Sequence, residues 1–373
     1  MLFFELIHVA LGNCDGLSRV PTVKEWSDLY EESIRQAITG VLLAGLERLP
    51  KEQRPPQELL LEWIGISEQI RQTNINLTAK CIELQKKLSE AGVRTSILKG
   101  QGIAKLYQIG GKKEDVRCNL ADLRQSGDID IYVDCGREEA LSLVQGEGIR
   151  VKEWDFKHAQ LDVWKDVAVE MHYRVEVVLN IWRNTKLQKW FQKHQDAVHG
   201  SRFKVQDGEM MTPTVEFNVF YILLHIYRHF LYEGVGMRQI MDYYMVLRAV
   251  HGSRLLVHDN VDAVSSFGME RFAKGLMWVM HETLAMPRAW MLWEPDEKEG
   301  RFILDEVMTG GNFGHYDQRL THGGGKWNTV KQVCKHNWHL MSHYPADVVW
   351  APVWFVWHKC WKLKTKALLA IKS

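Results

Sequence analysis

The 373-residue chain is long enough to bury a substantial core and to form two or three structural units. Lys and Arg number 47 against 46 Asp and Glu, a formal net charge of +1, so no overall field draws in long nucleic acid or an anionic membrane. Six cysteines without the paired spacing of a zinc site or a disulfide framework point to a reducing, cytoplasmic compartment.

The N-terminal MLFFELIHVALGN carries Glu5 and lacks a positive n-region, so it reads as a short core helix rather than a leader. No window reaches the roughly 18 to 20 apolar residues that a membrane span needs. From Asp28 to Pro50, Ile34, Ala37, Ile38, Val41, Leu42 and Leu46 recur at the three-and-four spacing of a helix with one buried stripe. After the breaker RPPQE a longer stripe runs through Ile66, Ile70, Leu77, Cys81, Leu84 and Leu88, and Gly92 stops it.

The period then changes. RTSIL, KGQG and IAKLY read as strand, glycine turn and helix, and residues 108–126 as a polar loop. DIDIYV is a strand, REEALSLV a short helix, and HAQLDVW and VAVEMHYRV a hairpin. Beyond about residue 180 the pattern returns to helices, with two long apolar segments joined at Gly234 and Gly236. The layout is α+β: a helical region over 1–92, a mixed unit over 93–180, and a helical region over 181–373.

Alternation along DIDIYV puts Asp128, Asp130 and Tyr132 on one face and Ile129, Ile131 and Val133 on the other. Two carboxylates about 6.5 to 7 Å apart at their Cα atoms repel unless a cation lies between them, and hard ions such as Mg²⁺ take such oxygens. In VAVEMHY the same alternation sets Ala168, Glu170 and His172 opposite Val167, Val169 and Met171, which makes Glu170 a third carboxylate. Three acidic groups from adjacent strands can hold two divalent ions and brace a displacement at phosphorus. The turn Gly100-Gln101-Gly102, with outward amides and Lys99 beside it, supplies a place for phosphates. Neither KGQG nor HGGGKW is a P-loop, since the first lacks the spacing and Trp327 stands where Ser or Thr is required in the second.

His225 and His229 share a helix face without an HExxH pattern and read as satisfied core histidines. Arg238 and Asp242, four apart, read as a helix ion pair, with the lining of the cleft as the functional alternative. The Trp- and Lys-rich tail WFVWHKCWKLKTKALLAIKS reads as aromatic core with a solvated basic face, and peripheral membrane contact is its alternative.

The ordered series LKGQGIAKLY, LRQSGDIDIYV and VAVEMHYRV resembles the nucleotidyltransferase superfamily of DNA polymerase beta type. FKHAQLDVW, LLHIYRHFLYEGVGMRQIMDYY and GGNFGHYD are similar to segments of its bacterial uncharacterised nucleotidyltransferases, so the resemblance covers most of the chain. It implies an α/β nucleotidyltransferase core in which Asp128, Asp130 and Glu170 are catalytic and hold Mg²⁺ with a nucleoside triphosphate. A nucleoside monophosphate would pass to an unknown hydroxyl acceptor with release of pyrophosphate. The superfamily's Gly-Ser element is replaced here by Gly100, Gln101 and Gly102, so Lys99, backbone amides, Arg124 or Ser126 would have to grip the phosphates instead. The altered turn also admits a catalytically weak or inactive binding or regulatory protein on the same fold. His158, His172, His229, Arg238 and Asp242 complete the residues expected at the cleft.

Overall fold

The computed structural model describes residues 1–108, 119–205, 208–317, 319 and 338–372. HGGGKW and residues 109–118 of the expected polar loop lie outside them.

The first helix, α1 (Leu2–Leu11), is a core helix with Phe3, Leu6, Ile7 and Val9 buried. The single helix expected between Asp28 and Pro50 is two: α2 (Val23–Arg35), opened by a Thr22/Glu25 capping box, and α3 (Thr39–Arg48). The chain turns at Ala37, whose φ is +55°. Ile34, just before the turn, is thereby left exposed rather than on the buried stripe.

Helix α4 (Gln57–Glu90) buries Trp63, Ser67, Ile70, Asn74, Leu77, Cys81, Leu84 and Leu88, an alternation of four and three residues along one face. Its Trp63 end enters a large helical core, and its Leu77 to Leu88 end packs on the sheet.

The central sheet has the order β1-β2-β5-β4-β3, from β1 (Thr95–Ile97), β2 (Asp128–Val133), β3 (Arg150–Trp154), β4 (His158–Asp162) and β5 (Ala168–His172). Only β2 and β5 run parallel; the other neighbours are antiparallel, and β4–β5 is the expected hairpin. Two short helices, α5 (Gln101–Ala104) and α6 (Leu120–Leu123), lie between β1 and β2, and α7 (Arg137–Gly146) follows β2. Ile129, Ile131, Val133, Val169 and Met171 face α4 and α7 in one apolar cluster, which leaves the even-numbered face of β2 and β5 for other use.

After the sheet come α8 (Ile181–Lys193) and α9 (Gln195–Val198). A second departure from expectation follows, because the region is not wholly helical. Strands β6 (Ser201–Val205) and β7 (Gly208–Thr212) pair antiparallel, with Val205 opposite Gly208. Then come α10 (Val215–Tyr232), α11 (Met237–Ser253), α12 (His258–Ser266), α13 (Glu270–Leu284), α14 (Glu297–Gly310) and α15 (Pro345–Lys372). Helices from before and after the sheet share one core that contains Leu6, Leu42, Phe220, Met245 and Leu276. Asn13 ties them further, donating to the Leu284 carbonyl at 2.8 Å.

On α15, Trp354, Trp357 and Trp361 all meet Phe156 edge-on, and Trp361 also meets Trp154. The tail's tryptophans therefore cover the β3–β4 end of the sheet, while Val353, Phe355 and Val356 are exposed. Among the described residues no helix is long and apolar enough to cross a membrane.

Candidate active site

Parallel pairing of β2 with β5 sets Asp130 directly opposite Glu170 and Tyr132 opposite His172, and the antiparallel β4 sets His158 opposite His172. Because side chains two apart share a face, Asp128, Asp130, Glu170, His172 and His158 converge on the side of the sheet turned toward α10. A cleft of about 500 Å³ opens there, lined among others by Lys99, Asp128, His158, Glu170, Arg228 and His229. That is the size of a small-molecule site. A smaller cavity of about 30 Å³ adjoins it, sharing Lys99 and Asp128 and bounded by Gly100, Arg124, Ser126, Arg238 and Asp242.

The three carboxylates differ in setting. Asp130 is fully buried, with Oδ2 3.1 Å from Lys99 Nζ and Oδ1 2.9 Å from His172 Nε2. Burial works against its charge, but Lys99 and His172 outweigh it and hold the carboxyl well below its usual range. Asp128 stands at the mouth with its side chain 45 % exposed and 4.0 Å from Lys99 Nζ. The like charge of Asp130, then burial, raise its pKa. Glu170 lies 3.4 Å from His172 Nε2 and 3.7 Å from His158 Nδ1; burial raises its pKa, and the His172 contact brings it below the usual value. For Lys99, burial opposes the charged form, and Asp130, Asp128 and Glu170 together overcome it.

Three carboxylates thus occupy neighbouring strand positions on one side of the sheet, one of them raised by its neighbour's charge. One ammonium, Lys99, already leans on two of them.

His172 is buried beneath this group, and its contacts with Asp130 and Glu170 overcome the cost of burial and raise its pKa. A histidine raised in the fold contributes stability that is complete below its unfolded value of about 6.5 and is lost as pH rises through the folded value. His158, lowered by burial, acts in the opposite sense. In metal-free protein, the stability difference between wild type and His172→Gln is therefore expected to shrink as pH rises above about 6.5, measured by thermal unfolding in chelator from pH 6 to 9. A difference that grows with pH overturns this assignment of charge.

The glycine turn is only partly at the cleft. Gly100, at φ +59° and ψ −113°, takes a conformation that other residues avoid and lines the small cavity. Helix α5 is a single turn, and Gly102 and Gln101 are buried. The Gly102 amide donates to the Lys99 carbonyl, and the Gln101 side chain donates to the Asn74 carbonyl at 3.1 Å. Neither residue is brought to the cleft. A Cβ on Gly102 would stand 2.3 Å from the Ile97 carbonyl oxygen, backbone that cannot move aside. Gly102→Ala is expected to cost about 1–3 kcal/mol in urea unfolding, and a cost near zero would mean that the turn is more loosely packed against β1.

Arg124 and Ser126 belong to a buried network. Arg124 Nε and Nη2 donate to the two oxygens of Asp242, each at 2.6 Å, Nη1 donates to Ser126 Oγ at 2.7 Å, and Tyr107 donates to Asp242 at 2.7 Å. The Arg238–Asp242 helix pair is thus corrected: Asp242 takes its guanidinium from 118 residues away, because its side chain points from α11 into the segment before β2. Arg238 instead donates to the Gln125 carbonyl at 2.9 Å and to Asn312 at 3.3 Å.

His225 and His229 are buried with carboxylate partners, His225 Nδ1 3.1 Å from Glu176 and His229 Nδ1 2.8 Å from Glu233. Glu176, itself buried, also holds Lys157 at 3.2 Å and Arg228 at 3.3 Å. Glu176, Lys157 and the cleft-lining Phe156, Trp354 and His358 were not legible as site residues, whereas Arg228, directly before His229, was open to the same cleft reading as Arg238 and Asp242 and does line the cleft. The one available signal was the position of Phe156 and Lys157 directly before His158.

Residues 22–285, most of the chain, match the family described as uncharacterised nucleotidyltransferase. No match is found among curated proteins.

Proposed function

The chain belongs to the uncharacterised nucleotidyltransferase family, and from that premise we propose that it is a cytoplasmic, Mg²⁺-dependent nucleotidyltransferase. It moves a nucleoside monophosphate from a nucleoside triphosphate to a hydroxyl acceptor and releases pyrophosphate. The observation that carries this reading is the strand register that stacks Asp130 against Glu170 with Asp128 at the cleft mouth. Asp128, Asp130 and Glu170 would hold magnesium, which when bound neutralises developing charge on the phosphates and activates the attacking oxygen. Lys99 and Arg228, both lining the cleft, meet the negative charge of the triphosphate. Gly100 lets backbone come close to it. Arg124 and Ser126 act through position, since the guanidinium is committed to Asp242 and the hydroxyl to Arg124. In this reading residues 93–180 carry the chemistry, and the regions 1–92 and 181–373 shape the pocket for the acceptor.

A second reading, a binding or regulatory protein with weak or no catalysis, is favoured by one observation. Lys99 Nζ is 3.1 Å from Asp130, where a divalent ion would compete with it, and Gln101 is turned into the core. Calorimetry with each of the four ribonucleoside triphosphates, with and without Mg²⁺, separates the two. Saturable Mg²⁺-dependent binding, followed by transfer of label from the bound triphosphate to a lysate component, supports the enzyme. Absence of binding for all four supports the second reading.

A further inference from the structure

Beside the carboxylates the sheet carries nitrogen donors that the magnesium reading leaves unused. His158 and His172 are register partners on β4 and β5, with ring centres 5.2 Å apart. One nitrogen of each and one Glu170 oxygen all lie within 4.8 Å of one another. Two of the separations are 3.4 Å, from His172 Nε2 to Glu170 Oε2, and 3.7 Å, from His158 Nδ1 to the same oxygen. Donors held about 2.0–2.2 Å from a shared tetrahedral ion stand roughly 3.3–3.6 Å apart, so these groups need move little to close on one.

An independent observation also points to a ligand. The His158 nitrogen that faces Glu170, Nδ1, is buried without a hydrogen-bond partner, 3.7 Å from that carboxylate. Buried imidazole nitrogens are ordinarily paired. The site is open on one side, since His158 and Glu170 line the large cleft. Imidazole is a poor ligand for magnesium and a good one for the metals from manganese to zinc, and two histidines with one carboxylate and open positions is a recurrent arrangement for them.

We infer that His158, Glu170 and His172 form a binding site for a divalent transition metal, distinct in ligand chemistry from the oxygen pair Asp128 and Asp130. Asp130 Oδ1 lies 2.9 Å from His172 Nε2. On binding, His172 Nε2 gives up its contact with Asp130, and any proton on that nitrogen leaves it. The site shares Glu170 with the proposed magnesium centre but needs no nucleotide, so the two readings fail separately.

The test uses the full chain, stripped with chelator and titrated with Co²⁺ while visible absorption and heat are followed. One Co²⁺ per chain is expected, with ligand-field bands of a nitrogen-containing site that a hundredfold excess of Mg²⁺ does not displace. His158→Gln is expected to weaken Co²⁺ binding by about tenfold or more, whereas Asp128→Asn leaves it within about threefold. Equal Co²⁺ affinity in His158→Gln, or displacement by Mg²⁺, overturns the site. X-ray absorption of the Zn²⁺-loaded wild type needs no variant: imidazole scattering in the first shell supports the inference, and oxygen scattering alone overturns it. Co²⁺ binding without triphosphate binding would remove the enzyme reading and keep the metal site.

Discussion

Asp128→Asn and Asp130→Asn are each expected to lower nucleotide transfer by roughly a hundred- to a thousandfold or more, the usual cost of removing one preorganised electrostatic contact, and to move stability in opposite directions. Asp128 sits half-exposed beside a like charge that raises its pKa, so neutralising it relieves repulsion and is expected to leave the melting temperature unchanged or slightly higher. Asp130 is buried between Lys99 and His172, so Asp130→Asn strands the Lys99 ammonium without its anion and takes a carboxylate partner from His172. Removing one partner of a buried pair costs about 3–5 kcal/mol. Transfer of labelled nucleotide and urea unfolding on the same preparations check both halves. Wild-type transfer by either variant would end the catalytic assignment. Equal stability losses in both would mean that the contrast between the two carboxylates is wrong.

The second large effect is one of stability. Asp242→Leu leaves the Arg124 guanidinium buried against an apolar side chain and removes the acceptor of Tyr107. A loss of about 3–5 kcal/mol is expected, visible as a lower urea midpoint with an unchanged slope. The double variant Arg124→Met/Asp242→Leu should recover most of that loss, because no buried charge then remains unpaired, and what is left without a partner is neutral, the hydroxyls of Tyr107 and Ser126. Failure of the second substitution to restore stability would show that the network acts through shape rather than charge. Transfer activity in the double variant also bears on function, since Arg124 and Asp242 fasten the segment leading into β2 onto α11 and so set the entry angle of the Asp128–Asp130 strand.

Legibility followed range in the chain. The strand face shared by Asp128 and Asp130, the hairpin carrying Glu170, and the long stripe from Ile70 to Leu88 all follow from local periodicity, and all are present. The break at Ala37, where φ is positive, was not legible, because Ile34, Ala37 and Ile38 keep helical spacing across it. The β6–β7 hairpin was not legible either, since its strands are five residues each and long helices flank them on both sides. Strand β3, polar and mostly exposed, carries almost no alternation to read.

By itself, the sequence determined which side chains of β2 and β5 share a face, because a strand repeats every two residues whatever surrounds it. It determined equally that helices flank the sheet, and that a glycine bend stands before the carboxylates. Only the tertiary structure decided that Asp242 pairs with Arg124 rather than Arg238, that Gln101 turns into Asn74, that Lys99 lies against Asp130, and that the tail's tryptophans cover Phe156. Each of these joins groups far apart in the chain, and local spacing carries no information about which distant partner a buried charge or ring will meet.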